Sequence, residues 1–84
     1  MNEAEKQIYE RILLALREMF DVEPARLKPK ATLRGALMLD SADLVDLATF
    51  LEAEFGLPTD LDDYRSVTTL EELAVLVARL RTRS

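Results

Sequence analysis

Three stretches of this sequence place apolar residues at the spacing of one helix face, and no stretch carries the two-residue alternation of a half-buried strand. Ile8, Ile12, Leu16 and Met19 recur in the first, widened by Leu13 and Phe20. Leu44, Leu47, Ala48, Leu51 and Phe55 form the second, and Leu70, Leu73, Ala74, Val77 and Leu80 the third. This pattern predicts a helix over residues 4–20, a second from Ser41 to Phe55, and a last one opening near Thr68 or Thr69. Gly56 suits a left-handed helix end, and Pro58 blocks continuation. Each of the two threonines has a glutamate three residues on (Glu71, Glu72), the spacing of a capping box. Arg79, Arg81 and Arg83 complement the negative end of that helix's dipole. Residues 60–64 suffice for one short further helix.

Between the first two helices, residues 21–39 hold apolar side chains without helical period, and Pro24 and Pro29 each turn the preceding residue away from helix. A loop of this length is unusual in a compact domain. Its apolar residues imply that it packs down, with one short turn after Pro24. The expected fold is therefore all-α: a small antiparallel four-helix bundle, three main helices and one short, with a long loop between the first and second. The 84 residues suffice for one domain, residues 1–84, and not for two.

Composition narrows the chemistry. The chain has no cysteine and no histidine. Disulfides, thiolate nucleophiles, histidine bases and Cys/His zinc sites are thereby excluded. No apolar run reaches a membrane span, and the polar, acidic N-terminus does not read as a secretory signal; the expected location is the cytoplasm. The net charge is −5, but the negative charge is concentrated. Residues 40–63 carry Asp40, Asp43, Asp46, Glu52, Glu54, Asp60, Asp62 and Asp63 and no base, whereas both flanks are weakly basic. Such a block repels nucleic acid and steers basic proteins toward it. Taken alone, it is equally a solvated helix face.

The informative stretch is Leu37-Met38-Leu39-Asp40-Ser41-Ala42-Asp43-Leu44-Val45-Asp46-Leu47. Ser41 stands where loop becomes helix, beside free N–H groups and the positive end of the dipole, a setting that stabilises a phosphate ester. Serine is also a preferred N-cap, so capping is the competing explanation. No histidine and no nearby lysine activates this hydroxyl, so any reaction at it requires another protein's catalysis.

Asp40-Ser41-Ala42-Asp43-Leu44-Val45-Asp46-Leu47 resembles the Asp-Ser-(Leu/Met/Ala)-Asp-x-Val-(Glu/Asp)-Leu signature of acyl carrier proteins. The resemblance extends to Thr32-Leu33 and Leu37 upstream, and downstream to the segment from Leu51 to Leu57 and to Val67-Thr68-Thr69-Leu70. It implies a carrier without catalytic activity. Its Ser41, with Asp40 beside it, would receive 4′-phosphopantetheine from coenzyme A through a phosphopantetheinyl transferase. The thiol of that arm would hold acyl groups as thioesters. The implied docking surface is the outward side of the second helix, where a rotation of about 100° per residue puts Ala42, Asp46, Thr49 and Ala53, with Val45 and Asp43 at the margins. Together with Glu52, these would meet basic docking patches on acyl-loading and acyl-processing enzymes. An acyl chain would enter among Leu47, Leu51, Leu61, Leu73 and Val77, which on sequence alone read equally as core. The carrier is expected to be a monomer that neither enters a membrane nor binds nucleic acid.

Three positions depart from the family. Met38 stands where glycine is usual, placing a bulky side chain next to the arm's anchor; Ala42 stands for Leu or Met, and Ala53 for a glutamate. These departures lean toward a specialised carrier, in polyketide or modified-lipid synthesis, over a housekeeping role in fatty acid synthesis. Phe50 falls outside the core stripe and either packs under the 21–39 loop or anchors a partner. Two alternatives share the expected fold: an aminoacyl or peptidyl carrier of nonribosomal synthesis, and an unmodified helical interaction adaptor.

Overall fold

The structure, a computed structural model, describes residues 1–57 and 61–83. Among the described residues four helices follow in order, α1 (Glu3–Phe20), α2 (Ser41–Phe55), α3 (Leu61–Arg65) and α4 (Leu70–Arg83), with a 3-10 turn at Pro24–Arg26. The starts of α1 and α4 have local causes. Asn2 Oδ1 accepts from Glu5 N at 2.8 Å while Glu5 Oε1 accepts from Asn2 N at 3.0 Å, a reciprocal capping box. Thr69, not Thr68, caps α4: its Oγ1 accepts from Glu72 N at 3.2 Å, and its carbonyl accepts the first helical bond, from Leu73 N. At its other end, α2 closes on Gly56 with φ +65°.

The three apolar stripes meet in one core. α1 contributes Ile8, Tyr9, Ile12, Ala15 and Leu16 and packs chiefly on α4. α4 contributes all five residues of its stripe, with Leu76 beside them. From α2 come Leu47, Ala48 and Leu51, while Leu44, Phe50 and Phe55 lie half-buried against the core. Phe50 is therefore a packing residue and not an exposed anchor. Met19 departs from its expected burial and is 38% exposed: the α1 row leaves cover in the last turn of the helix. Arg81 of α4 stacks over the Phe55 ring, 5.3 Å from its centroid, and joins the ends of α4 and α2.

The long loop does pack down, by two means. Leu33, Leu37 and Leu39 are buried. Its backbone also bonds to the start of α4: Leu33 N donates to Thr68 O at 2.9 Å, Leu70 N to Ala31 O at 3.1 Å and Glu71 N to Pro29 O at 2.9 Å. An isolated antiparallel bridge, Thr32 to Thr69, marks the join. Within the loop, Thr32 Oγ1 accepts from Ala36 N at 3.0 Å, and Leu39 N returns to Leu33 O at 2.9 Å. Gly35 is required by close approach, because a Cβ there would stand 2.6 Å from Thr32 Oγ1. The loop delivers the chain to α2 in a fixed direction.

Candidate functional site

Asp40, not Ser41, is the N-cap of α2. Asp40 Oδ1 accepts from Asp43 N at 2.8 Å, and Asp43 Oδ2 accepts from Asp40 N at 3.1 Å. The capping explanation for Ser41 thus fails for a simple reason: the preceding carboxylate performs that task. Ser41 is the first helical residue, it is exposed, and its hydroxyl is left over from the helix's own bonding. Its Oγ accepts instead from Arg34 Nη2 of the loop, at 3.2 Å.

Beside Ser41 opens a groove of about 500 Å³. Leu44 and Val45 of α2 line it together with Tyr64 and Arg65 of α3, Val67 and Arg34. Val45 is 45% exposed, a large apolar side chain offered to the groove and to solvent. Tyr64 lies half-buried, with its hydroxyl oxygen shielded from solvent and without a hydrogen-bond partner among the described residues. Desolvation, then repulsion from Glu52 and Asp63, pushes its pKa up to about 12, so the phenol stays protonated and remains a donor. Arg65 pairs with Asp62 on α3 at 3.5 Å, with both side chains well exposed.

The residues singled out from sequence are placed differently. Ala42, Val45, Asp46 and Thr49 are exposed together on α2, with Thr49 Oγ1 donating to Val45 O at 2.9 Å. Asp43 is half-buried and held in the capping box. Glu52 turns inward: it is half-buried, its Oε2 is shielded without a partner, and its charge acts on Tyr64. Glu54, by contrast, pairs with Arg11 of α1. Among the expected lining residues, Leu47, Leu51, Leu73 and Val77 are packed in the core, each no more than 2% exposed. The side chain of Leu61 lies outside the described residues. The groove open beside Ser41 is instead lined at Leu44, Val45, Tyr64 and Val67.

Met38 adopts φ +59°, the left-handed region where a side chain is strained and glycine is not. This explains why glycine suits the position. The Met38 side chain is 73% exposed, and its sulfur lies 3.7 Å from Arg26 Nη1, so it is engaged by Arg26 of the loop and not by Ser41. Arg34 was not singled out from sequence, and neither were Tyr64 and Arg65. The available signal was only a basic loop residue seven positions before the serine and a short amphipathic helix following the acidic block. Neither signal specifies a contact.

A serine hydroxyl spared from capping thus stands at a helix start, with a guanidinium on one side and a half-apolar groove on the other. Residues 10–77 match the family described as "Phosphopantetheine attachment site". The chain is 38% identical over 76 residues to acyl carrier protein 2 of Ralstonia nicotianae, covering 90% of this chain and 94% of that one. To the acyl carrier protein of Saccharopolyspora erythraea it is 39% identical over 83 residues, covering 94% and 87%. In fold it resembles the crystal structure of the Thermotoga maritima acyl carrier protein, with a TM-score of 0.83 at 20% identity, covering 98% of this chain and 95% of that one. The chain belongs to the acyl carrier protein family. Its prosthetic group is accordingly a covalent 4′-phosphopantetheine, received from a phosphopantetheinyl transferase, and its partners are acyl-processing enzymes. Among the described residues no helix is long and apolar enough to cross a membrane.

The residues fit that group. The exposed hydroxyl can be esterified without loss of the helix cap, because Asp40 supplies the cap. Arg34 offers the phosphate a positive charge, and the backbone N–H groups of the first turn point the same way. The groove supplies apolar wall next to the Ser41 hydroxyl.

Proposed function

We propose that this chain, as one domain over residues 1–84, carries acyl intermediates on an arm attached at Ser41 and presents them to partner enzymes of fatty acid, polyketide or other specialised lipid biosynthesis. The observation that carries this reading is the division of labour at the start of α2: Asp40 caps, and Ser41 keeps an exposed hydroxyl that the helix does not use. The bound arm contributes a terminal thiol that holds acyl groups as thioesters, a chemistry this cysteine-free chain lacks. The protein's own residues anchor, orient and present; it is not an enzyme, and the catalysis belongs to its partners.

Presentation uses the exposed strip of α2. Ala42, Val45 and Thr49 offer small apolar contacts, and Asp43 and Asp46 offer charges to basic docking patches. Each exposed ion pair contributes about 0.2–1 kcal/mol, which suits a partner that must bind, react and leave. Glu52 has a lesser part in docking than its sequence position suggests, since it faces inward. Among the four described residues proposed to admit an acyl chain, Leu47, Leu51, Leu73 and Val77, entry requires the core to open. A groove-lining cargo needs no such opening. The reading further takes the chain to act as a cytoplasmic monomer.

The deciding experiment is intact mass after incubation with coenzyme A and a broad-specificity phosphopantetheinyl transferase. The expected result is one added arm on the wild type and none on Ser41→Ala. A folded wild type that gains no mass, while a control carrier does, would overturn the assignment of Ser41.

A further inference from the structure

We propose that Arg34 is a positioning residue that holds the phosphodiester of the attached arm and so directs the arm along the groove between α2 and α3. The proposal rests on the reading of Ser41 as the attachment serine. Arg34 Nη2 lies 3.2 Å from Ser41 Oγ, the atom through which the arm would be joined. A phosphate bonded to that oxygen lies within reach of the same guanidinium, whose planar fork of donors matches phosphate oxygens.

The surroundings call for a cation. Asp40 and Asp43 flank the serine in their capping box, and a phosphodiester adds a third negative charge beside them. Like charges at this spacing repel, and Arg34 is the basic side chain bonded to the serine. Arg34 is also uncommitted: among the described residues neither ion pair involves it, whereas Arg65 on the same groove is paired with Asp62.

Its backbone is braced. Leu33 on one side is buried and bonded to Thr68 O, and Gly35 on the other packs against Thr32. The cation is therefore presented from a fixed loop and does not sweep the solvent on a mobile one. Because Arg34 and Ser41 border the same groove as Leu44, Val45 and Val67, a phosphate held by Arg34 starts the arm on that apolar wall.

Nuclear magnetic resonance tests this. The apo and arm-bearing forms of wild type, Arg34→Lys and Arg34→Gln are compared, with loading verified by intact mass. In the wild type, the Nε–Hε signal of Arg34 is expected to move on loading. The phosphorus resonance of Arg34→Gln is expected to be displaced from that of the wild type, with Arg34→Lys in between, and added salt is expected to shrink the difference. Cross-peaks from the arm's geminal methyls to the Val45 and Val67 methyls are expected in the wild type and lost in Arg34→Gln. A loaded wild type whose Arg34 signal does not move overturns the proposal and leaves Ser41's role intact. This signal is read without any substitution, so a variant that loads poorly cannot obscure it. A wild type that takes no arm overturns the carrier reading, and this assignment with it.

Discussion

Met38 shows how one backbone angle constrains one residue. Its φ of +59° costs a side chain about 1–2 kcal/mol. Glycine would remove that cost but give back about 0.5–1 kcal/mol in unfolded-state entropy. The Met38 side chain buries little, so little packing offsets the difference. Met38→Gly is expected to stabilise the protein by about 0.5–1 kcal/mol, read as a rise of a few degrees in the melting midpoint. Tyr64 makes a second prediction at this scale. Its pKa is raised to about 12 in the folded protein against 10.0 for an ordinary tyrosine. The folded state therefore keeps a proton that the unfolded state loses. The resulting stability is fully present below pH 10 and is lost as pH rises toward 12. Tyr64→Phe should flatten that alkaline loss, by at most about 1 kcal/mol after solvent screening, as measured by urea unfolding between pH 9 and 12. Tyr9, raised by desolvation and then by the Glu71 charge, acts in the same direction.

At the scale of the element, the start of α2 is where sequence and structure diverge most usefully. The stripes of α2 and α4 were legible because burial follows spacing, and spacing is written in the chain. The cap was not, because Asp40 and Ser41 are both good N-caps and only the backbone turn between them decides which one serves. The box formed by Asp40 and Asp43 has a readable signal, an acid three residues after a capping residue, but the same acid reads equally as a docking charge, and spacing does not separate the two roles. Met19 shows the limit of the same rule: it has the right angle on α1 and stands past the cover. Arg34 and Tyr64 were illegible for another reason, since they reach the site through loop geometry that no local pattern encodes. Asp40→Ala should cost about 1 kcal/mol of stability, while Asp40→Asn, which retains an accepting oxygen, should stay within a few tenths, by urea denaturation. Gly35→Ala should cost more, about 1–3 kcal/mol, because its Cβ meets the Thr32 hydroxyl.

For the whole molecule, the distribution of charge matters more than its net value. The unbalanced negative charge lies along α2 and the segment after it, and the exposed strip of α2 next to Ser41 lies inside that field. On the proposed reading, a basic partner is drawn to the serine before any contact forms, an advantage that salt removes. Asp46→Lys is expected to lower the kcat/KM of a phosphopantetheinyl transferase roughly two- to fivefold at low salt, and by less as salt rises. An unchanged value across that range would argue that docking lies elsewhere. The fold has little stability in reserve for such changes, since a domain this size holds on the order of 4–13 kcal/mol. The core that supplies it is shared by every main helix.

The tie between the serine's loop and the start of α4 has a consequence for how the molecule breathes. The amides of Leu33 and Leu70 close on Thr68 and Ala31, across more than thirty residues of chain. Neither can exchange its hydrogen with water unless the last helix lets go of the loop. The segment that aims the serine and the helix farthest from it in sequence therefore form one cooperative unit. Its opening frees the loop that leads to Ser41 and the last helix together.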